Sequence, residues 1–418
     1  MGGVAEPPKR PAPRTWLTFL LVVGFVWLGG QIVRQGVSDA YLEGQPELAV
    51  LWQGGSSDAL GALARERLAA RDPIAAARLA AGAIRRSPLD QTALSAYALA
   101  EDRLGRPQVA SPAMTLAGRL GWRDVLTEVW LFRHDLLALD FTGAFDHADA
   151  LLRREDAPPP IVLRILAVAA GDPRAVTPLA DRLAANPAWR PAFFAFLAAP
   201  NQPPTADLDA ALLGRLAVGP TPPTDDELAP YLRALVSQSR FGDAVQAWRR
   251  LSPAADRAGL LYNGDFERTP GSTPFDWTLG GAAGWSATIA DSPDGSHGKA
   301  LNVQYDGVSQ PRPLRELVVL APGAYRLTGR LYEGSPAAAQ SMPWSLTCAG
   351  ETQPFVAQTP SPGAAGAWRA FGVDFTVPAT NCAGQWLALA VRPSDRPGDI
   401  SLWYDDLAIM PAGSTAAR

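Results

Sequence analysis

The side chains that most often carry catalysis or bind metals are few and scattered in this sequence. Its histidines are His134, His147 and His297, and none of them has the spacing of a paired metal site. No glycine-rich phosphate loop follows a strand-like segment, and no G-x-S-x-G motif is present. Asp374 and Glu333 are acids of the kind that glycosidases pair, but nothing in their spacing favours a dyad. We therefore predict that the protein is not an enzyme and has no catalytic residues.

The composition indicates a globular protein of several domains. The chain has 418 residues, of which 47% are hydrophobic and 19% charged, so it is long and apolar enough for two or three domains. The net charge is −4 and no strongly basic stretch is present, which argues against nucleic acid as a partner. Lysine occurs only at positions 9 and 299, while Ala, Gly, Pro and Arg are abundant, which indicates a GC-rich bacterial genome.

The segment 15–33, TWLTFLLVVGFVWLGGQIV, contains no charged residue and is followed by Arg34. As a helix that rises about 1.5 Å per residue it would be roughly 28 Å long, which matches the hydrocarbon thickness of a bilayer. Lys9, Arg10 and Arg14 precede it, so the positive-inside rule places the N-terminus in the cytoplasm. The predicted segments are a cytoplasmic tail at 1–14 and a transmembrane helix at 15–34.

Past this helix the chain would lie in the periplasm of a bacterium, held in the inner membrane by a single pass. A cleaved signal peptide, which would release a secreted protein, is the alternative. Against cleavage, the apolar run is longer than the hydrophobic region of a signal peptide, about 7–15 residues, and no small-x-small site follows it. Trp16 and Trp27 have the amphipathic rings that favour membrane interfaces.

The region 35–258 has apolar residues at helical spacing, and part of it repeats every 34 residues. Small or apolar residues recur at i, i+4 and i+7, which places them on one face of a helix where another helix can approach closely. Three copies follow one another: Ala76, Ala80 and Ala83; Ala110, Met114 and Ala117; Ala144, Ala148 and Leu151. A proline-rich interruption at about 200–226 precedes a last helical pair.

These positions, together with Pro88 at the end of a repeat, resemble the tetratricopeptide repeat family over about 57–158. The resemblance implies an α-solenoid whose concave surface binds a protein partner. The large aromatic residue that begins the first helix in this family is absent from the early copies, so the number of repeats is left open. An irregular helical bundle is the alternative architecture.

At about residue 260 the pattern changes from helical to alternating. Apolar residues recur at every second position, separated by turns such as 321–323, as in antiparallel strands with one buried face. About eight strands in 260–411 predict a β-sandwich, followed by a tail at 412–418. The fold class is therefore multidomain, α then β: a single transmembrane helix, an α-solenoid and an antiparallel β-sandwich.

The segments LYNGDFE at 261–267 and WYDDL at 403–407 open and close this region. They resemble the galactose-binding-like jelly-roll family of carbohydrate-binding modules, matched over about 261–411. In that family a structural calcium often lies where the first and last strands meet, and oxygen ligands suit this ion. The resemblance implies a candidate ligand set of Glu267 and Asp406, followed by Asp265 and Asp405. The alternative is that these acids cap turns, and no other cofactor is expected.

Sugar binding requires an aromatic platform flanked by hydrogen-bonding groups. The alternation of the strands predicts which side chains point away from the core. They are Trp386, Arg326, Arg330, Tyr332, Asn302 and Gln304. Trp277 and Trp344 occupy loop or strand-start positions and are further candidates, whereas Trp285 and Trp403 are predicted to be core residues.

The two cysteines, Cys348 and Cys382, both lie in the β region. In an oxidising compartment past a membrane anchor, an isolated pair predicts one disulfide. The bridge would close a loop of about 35 residues, for which the loop-entropy model gives a stabilisation of about 3–4 kcal/mol.

Together these features predict a non-catalytic envelope protein behind an inner-membrane anchor. It would join a protein-binding repeat scaffold to a sandwich that binds a polysaccharide, in the assembly or export of a cell-surface polymer. Two alternatives stay open, a polysaccharide-degrading enzyme or its accessory module, and a purely structural adaptor between proteins.

Overall fold

The computed structural model describes residues 14–42, 44–154, 158–199, 206–253, 255, 259–295, 298–309, 314–334, 342–360, 365–391 and 398–412. Helices precede antiparallel strands in these residues, which confirms the predicted order of α then β. The chain forms two compact units, Met1–Asp156 and Ala157–Arg418. Lys9, Arg10, His297 and most of the predicted tails at 1–14 and 412–418 lie outside the described residues.

The first unit is helical. Its helices are α1 (Arg14–Tyr41), α2 (Pro46–Trp52), α3 (Ser57–Ala69), α4 (Pro73–Arg86), α5 (Gln91–Arg103), α6 (Pro107–Leu120), α7 (Val125–Ala138) and α8 (Phe141–Leu152). Of the described helices, the one at Trp16–Tyr41 is long and apolar enough to cross a membrane, as either an anchor or a signal sequence would be. It continues beyond the predicted end at 34 to Tyr41. No proline interrupts this stretch, and Ser38 is buried there with its hydroxyl donating to Ala49 O of α2.

The positions of the next six helices repeat. α3, α5 and α7 begin at 57, 91 and 125, and α4, α6 and α8 begin at 73, 107 and 141, so both series advance by 34 residues. Each helix of the first series follows a capping side chain, Ser56, Asp90 or Asp124, which accepts a backbone N–H from three residues further on. The small and apolar residues of α4, α6 and α8 that were predicted to share a face are buried. The structure therefore contains paired helices with the period that the sequence predicts.

The second unit begins with helices. They are α9 (Pro160–Ala169), α10 (Pro173–Ala184), α11 (Arg190–Leu197), α12 (Ala206–Ala217), α13 (Asp225–Ser237) and α14 (Phe241–Leu251). α12 lies inside the predicted proline-rich interruption, between prolines that cannot continue a helix. α13 begins with a complete capping box formed by Thr224 and Glu227.

A buried ion pair holds these helices together. Arg190 and Glu227 are only 2% and 7% exposed, and two hydrogen bonds of 2.7 Å join the guanidinium to the carboxylate. Arg190 also donates to the carbonyl oxygens of Leu183, Thr221 and Pro222 at 3.2–3.3 Å. One side chain thus links α10, α11, α13 and the end of the proline-rich segment, and its charge is fully paired, which a buried charge requires.

Replacing Arg190 with Met keeps most of the side-chain volume but leaves the Glu227 carboxylate buried without its partner. We expect the local stability of α11 and α13 to fall by about 3 kcal/mol, because breaking a buried ion pair is strongly destabilising. Native-state hydrogen exchange of the full chain would show this as a loss of protection in both helices, by roughly a hundredfold. The control is Arg174→Met, whose ion pair with Asp172 is exposed; equal protection in the two variants would contradict the prediction.

The rest of the second unit consists of strands. They are β1 (Gly281–Ala282), β2 (Trp285–Asp291), β3 (Lys299–Tyr305), β4 (Leu314–Val318), β5 (Gly323–Glu333), β6 (Trp344–Cys348), β7 (Val356–Gln358), β8 (Trp368–Val377), β9 (Gln385–Leu389) and β10 (Ile400–Pro411). They form a six-stranded sheet, in the order β1-β2-β3-β10-β5-β8, and a four-stranded sheet, in the order β4-β9-β6-β7. All pairings are antiparallel, and apolar side chains from both sheets form one core. The predicted antiparallel β-sandwich is confirmed.

The predicted disulfide is also confirmed. Cys348 at the end of β6 is bonded to Cys382 in the loop before β9, with an S–S distance of 2.00 Å. The bridge joins two strands that already pair, since Cys348 lies opposite Gln385 in the register of β6 and β9. It therefore fixes one end of the four-stranded sheet.

The last helix packs against the beginning of the sandwich. The Trp248 ring on α14 stacks on Phe275 at 5.2 Å and meets Tyr262 edge-on at 5.3 Å, measured between ring centroids. Aromatic contacts of this kind add to the free energy of burial. They help to explain why the division between compact units falls at 156/157, before α9, and not at the change of sequence pattern near 259.

A buried carboxyl lies beside this contact. Glu316 on β4 is 1% exposed, and its Oε1 accepts a hydrogen bond of 3.0 Å from the backbone N–H of Tyr262. Burial raises the pKa of Glu316 well above its ordinary value, and the nearby Asp276 adds to the effect. The folded protein therefore binds this proton more tightly than the unfolded chain does.

Because the pKa of Glu316 is higher in the folded protein than in the unfolded chain, the free energy of unfolding depends on pH. The contribution of a carboxyl with a raised folded pKa is fully present below its ordinary pKa of 4.5 and is lost as pH rises towards the folded value. We expect Glu316→Gln to match the wild type at about pH 4 and to be the more stable protein at about pH 8. Thermal unfolding of the detergent-solubilised full chain, followed by tryptophan fluorescence, measures this. Two melting curves that shift in parallel with pH would contradict the prediction.

Candidate functional site

The outer face of the six-stranded sheet, which points away from the four-stranded sheet, carries a row of aromatic side chains. Trp403 on β10 lies opposite Tyr332 on β5, and Tyr332 lies opposite Trp368 on β8. All three are half-buried, whereas their strand neighbours Leu331 and Tyr404 fill the core. Adjacent strands are about 4.8 Å apart, so this aromatic row crosses roughly 10 Å of the sheet at right angles to the strands.

The geometry of the aromatic row leaves ring surface available. The Tyr332 and Trp368 centroids are 5.7 Å apart with planes tilted by 56°, so the rings do not cover each other. The Arg330 guanidinium lies over the Trp368 ring, 5.6 Å from its centroid, which adds a charged donor at one side. Flat, amphipathic rings with a nearby donor can stack on an apolar ligand surface while polar groups bond to its edge.

A polar patch continues the row on the neighbouring strand. Asn302 on β3 lies opposite Trp403, and its Oδ1 accepts a hydrogen bond of 3.1 Å from Gln304 Nε2, which also donates to Ser401 Oγ at 3.0 Å. Asn302 is 8% exposed, and its Nδ2 has no hydrogen-bond partner in the described part of the chain. Buried amide donors are normally paired, so this one has unused bonding capacity next to the aromatic row.

An ion pair on the inward side of the sheet joins the ends of β5 and β8 that carry the aromatic row. Glu333 and Arg369, which follow Tyr332 and Trp368 in sequence, form an ion pair that joins β5 to β8. Glu333 is fully buried and the Arg369 side chain is 22% exposed. Burial raises the pKa of the neighbouring Tyr404, and the Glu333 charge raises it further, so the phenol stays neutral. The aromatic row therefore lies where an ion pair also joins β5 to β8.

Four of the predicted ligand-binding residues meet on this face. They are Arg330, Tyr332, Asn302 and Gln304. Arg326 is also on the outer face but further along β5, where its Nη1 donates to both carboxylate oxygens of Asp374, at 2.9 and 3.0 Å. Trp386 is on β9 of the other sheet, with the Arg315 guanidinium 4.2 Å from its ring centroid. The structure thus separates Arg326 and Trp386 from the aromatic row.

Three tryptophan predictions are wrong. Trp277 and Trp344 are 2% and 0% exposed, and their rings meet at 5.9 Å in the core of the sandwich. The indole N–H of Trp277 donates to the carbonyl oxygen of Asn263, so its polar atom is satisfied inside the core. Trp344 is the first residue of β6 and occupies an inward position of that strand. Trp403, which was predicted to be a core residue, is half-buried on the outer face because Leu402 and Tyr404 occupy the inward positions of β10. Trp285 is buried as predicted.

Trp368 was not predicted at all, although the sequence contains a signal for it. Phe371, Val373 and Phe375 define the inward positions of β8, so the other parity points outwards. Extending that parity back along the chain leads to Trp368, the first residue of the strand. The start of a strand is the part that alternation locates least well, and this is why the residue was missed.

Glu267, Asp405 and Asp406, three of the acids suggested as calcium ligands, have partners in the protein. Glu267 accepts the backbone N–H of Lys299 at 3.0 Å, and Asp405 accepts that of Asp406 at 2.7 Å. Asp406 has a left-handed φ of 51° and lies 3.8 Å from Arg330, while Asp265 is exposed. No group of three or more metal-ligating side chains comes together among the residues that the structure describes. The calcium site stays a prediction.

No family model and no curated protein matches this sequence. Several solved structures are similar to part of it. A family 4 carbohydrate-binding module is 14% identical, with a TM-score of 0.29, and the match covers 36% of this chain and 99% of that one. A Bacteroides thetaiotaomicron structure described as a putative sugar binding protein is 10% identical, with a TM-score of 0.28 and coverage of 37% and 100%.

A third similar structure is a family 61 module in complex with β-1,4-galactotriose. It is 18% identical, with a TM-score of 0.26 and coverage of 37% of this chain and 99% of that one. In each match the shared part is little more than a third of this chain. Likeness at these TM-scores carries no functional argument, so the function has to be inferred from the geometry of the outer face.

Proposed function

We propose that the protein is a non-catalytic, membrane-anchored envelope protein whose β-sandwich binds a polysaccharide through the aromatic row. The observation that supports this proposal is the juxtaposition of Trp403, Tyr332 and Trp368 with the polar patch of Asn302 and Gln304 on one open sheet face. Pyranose rings offer apolar C–H surfaces and equatorial hydroxyls, and this face offers stacking surfaces and hydrogen-bonding groups to match.

The shape of the site favours a polymer over a small molecule. The row and the patch together cross β3, β10, β5 and β8, which at about 4.8 Å per strand is roughly 14 Å of open surface. Beyond Gln304, a depression of about 340 Å³ lined by Ser286, Asp306 and Asp399 continues the same surface. A long, open surface suits an extended chain, whereas small ligands are usually enclosed in pockets.

Helices α3 to α8 of the first unit are assigned to the tetratricopeptide repeat family as part of the same proposal, with a protein as their partner. The 34-residue period of the helix starts and the buried small-residue faces support the assignment. A depression of about 640 Å³ lies over α3 and α5, lined by Asp58, Arg65 and Glu66 of α3 and by Thr92 of α5. Charged side chains around a depression of this size suit a polar peptide segment.

The proposed location is the bacterial inner membrane, with the N-terminus in the cytoplasm and the chain after residue 34 in the periplasm. The apolar α1 and the charge distribution around it support the orientation. The disulfide supports an oxidising compartment. Release by signal cleavage is the alternative, and N-terminal sequencing of the mature protein distinguishes the two. Within this setting the protein would act in the assembly or export of a surface polysaccharide.

The glycan proposal is tested by removing stacking surface one ring at a time. We expect Trp403→Ala and Trp368→Ala each to weaken polysaccharide binding by about tenfold, which corresponds to about 1.4 kcal/mol for the loss of one buried ring contact. Affinity electrophoresis of the full chain measures retention in gels that contain bacterial surface polymers, xylan or β-1,4-galactan. Near-UV circular dichroism checks that each variant keeps the wild-type packing.

Trp386→Ala is the matched control, because it removes the same side chain from the other sheet. If this variant loses retention while Trp403→Ala keeps it, the ligand lies on the four-stranded sheet and the proposed face is wrong. New reducing ends after incubation would instead favour the degrading-enzyme alternative. Absence of retention on every polymer tested would favour a structural adaptor.

A further inference from the structure

α2 runs back along α1 towards its apolar part. Three hydrogen bonds trace this antiparallel arrangement, from Gln45 N to Tyr41 O (2.9 Å), from Ser38 Oγ to Ala49 O (3.2 Å) and from Arg34 Nε to Trp52 O (3.1 Å). From one bond to the next, the later residue of the pair moves forward in the sequence (45, 49, 52) while the α1 residue moves backward (41, 38, 34). The end of α2 therefore lies beside Arg34.

Arg34 marks the boundary of the apolar part of α1, since 15–33 contains no charge. The last two residues of α2 lie at this level and are apolar and exposed, Leu51 by 77% and Trp52 by 46%. Side chains of α1 from Trp16 to Val33 are mostly exposed as well. The end of α2 thus extends the apolar surface of α1 sideways at the residue where that surface ends.

The dimensions of a bilayer locate this level. From Trp16 to Arg34 the helix rises roughly 27 Å at about 1.5 Å per residue, close to the hydrocarbon thickness of about 30 Å. With Trp16 at the cytoplasmic boundary, Arg34 is at the periplasmic one, where a headgroup layer of about 5–8 Å begins. Trp27, which was predicted to lie near an interface, lies about 10 Å deeper in this arrangement. Trp52 therefore takes the position of the interfacial aromatic residue that α1 itself lacks on this side.

We propose that Leu51 and Trp52 insert into the headgroup layer of the periplasmic leaflet, as a second contact with the membrane beside α1. The occupant of this exposed apolar patch is the lipid interface, because the patch is continuous with the helix surface that lipid already covers. The inference rests on the proposed anchoring of α1. It also assigns a role to α2, which forms an ion pair with α3 through Glu47 and Arg67 and so joins the membrane contact to the first repeat.

Depth-dependent quenching of a single label tests the proposal. Both native cysteines are in the disulfide, so Leu51→Cys introduces one thiol for an environment-sensitive fluorophore. The labelled full chain is reconstituted in phosphatidylcholine–phosphatidylglycerol vesicles that carry a nitroxide either in the headgroup or deep in the acyl chain. We expect the headgroup nitroxide to quench this label several-fold more strongly than the acyl nitroxide does.

Two matched sites give the test its controls. Leu137→Cys on α7 is equally exposed, at 78%, and should show no quenching by either lipid. Phe19→Cys on α1, 68% exposed, should be quenched by the acyl nitroxide and reports on the anchor alone. Quenching at Phe19 with none at Leu51 would overturn the proposal and leave the anchoring intact. No quenching at Phe19 would show that the anchoring itself is wrong.

A protein could also cover the patch, and the same label detects this. A blue-shifted emission at Leu51 that neither nitroxide quenches would mean that a second copy of the chain or another protein lies on the patch, which contradicts the lipid contact. A second variant, Trp52→Glu in the Leu51→Cys background, should abolish the headgroup quenching, because a charged side chain favours water over the interface.

Discussion

The register of β10 is the constraint on which the second unit depends. This strand lies between β3 and β5, and its inward residues Leu402 and Tyr404 complete the core while its outward Trp403 completes the aromatic row. A shift of one residue would exchange these two sets. The register is fixed on both sides by full antiparallel ladders. A bulge at Asp406 then changes the pairing with β5 between Asp405 and Ala408.

The same strand shows how far sequence alone could lead. Strict alternation in β5 correctly assigned Arg330 and Tyr332 to the outer face, because the leucines of this strand occupy the other parity only. In β10 bulky apolar residues occur at both parities, so alternation could not say which of Trp403 and Tyr404 faces the core. The neighbouring Ser401 and Asp405, which share the parity of Trp403, were the signal that could have decided it.

Other features depended on contacts that no local pattern encodes. The helical period could be predicted because it is a regular spacing in the sequence. The disulfide could be predicted because the chain has only two cysteines to pair. Trp277 could not be placed, since it packs in the core against Trp344 and its indole N–H donates to Asn263, contacts that strand alternation does not indicate. Nothing in the local sequence distinguishes Arg190, although its side chain bonds to Glu227, Leu183 and Thr221. Residue propensity and hydrophobic periodicity do not predict long-range polar contacts of this kind.

The opening segment of the sandwich has a consequence for how this domain could have spread. The backbone of Gly264 lies so close to the last strand that a Cβ there would be 2.0 Å from the carbonyl oxygen of Leu407, and the Leu407 N–H donates to Gly264 O at 2.8 Å. The chain therefore enters and leaves the sandwich at neighbouring points. Domains with adjacent ends can be inserted into unrelated proteins without separating their hosts' own structures. Trp248 of α14 packs against Tyr262 and Phe275 at the beginning of the sandwich. A sandwich moved to another protein would therefore have to keep α14 or replace this aromatic contact.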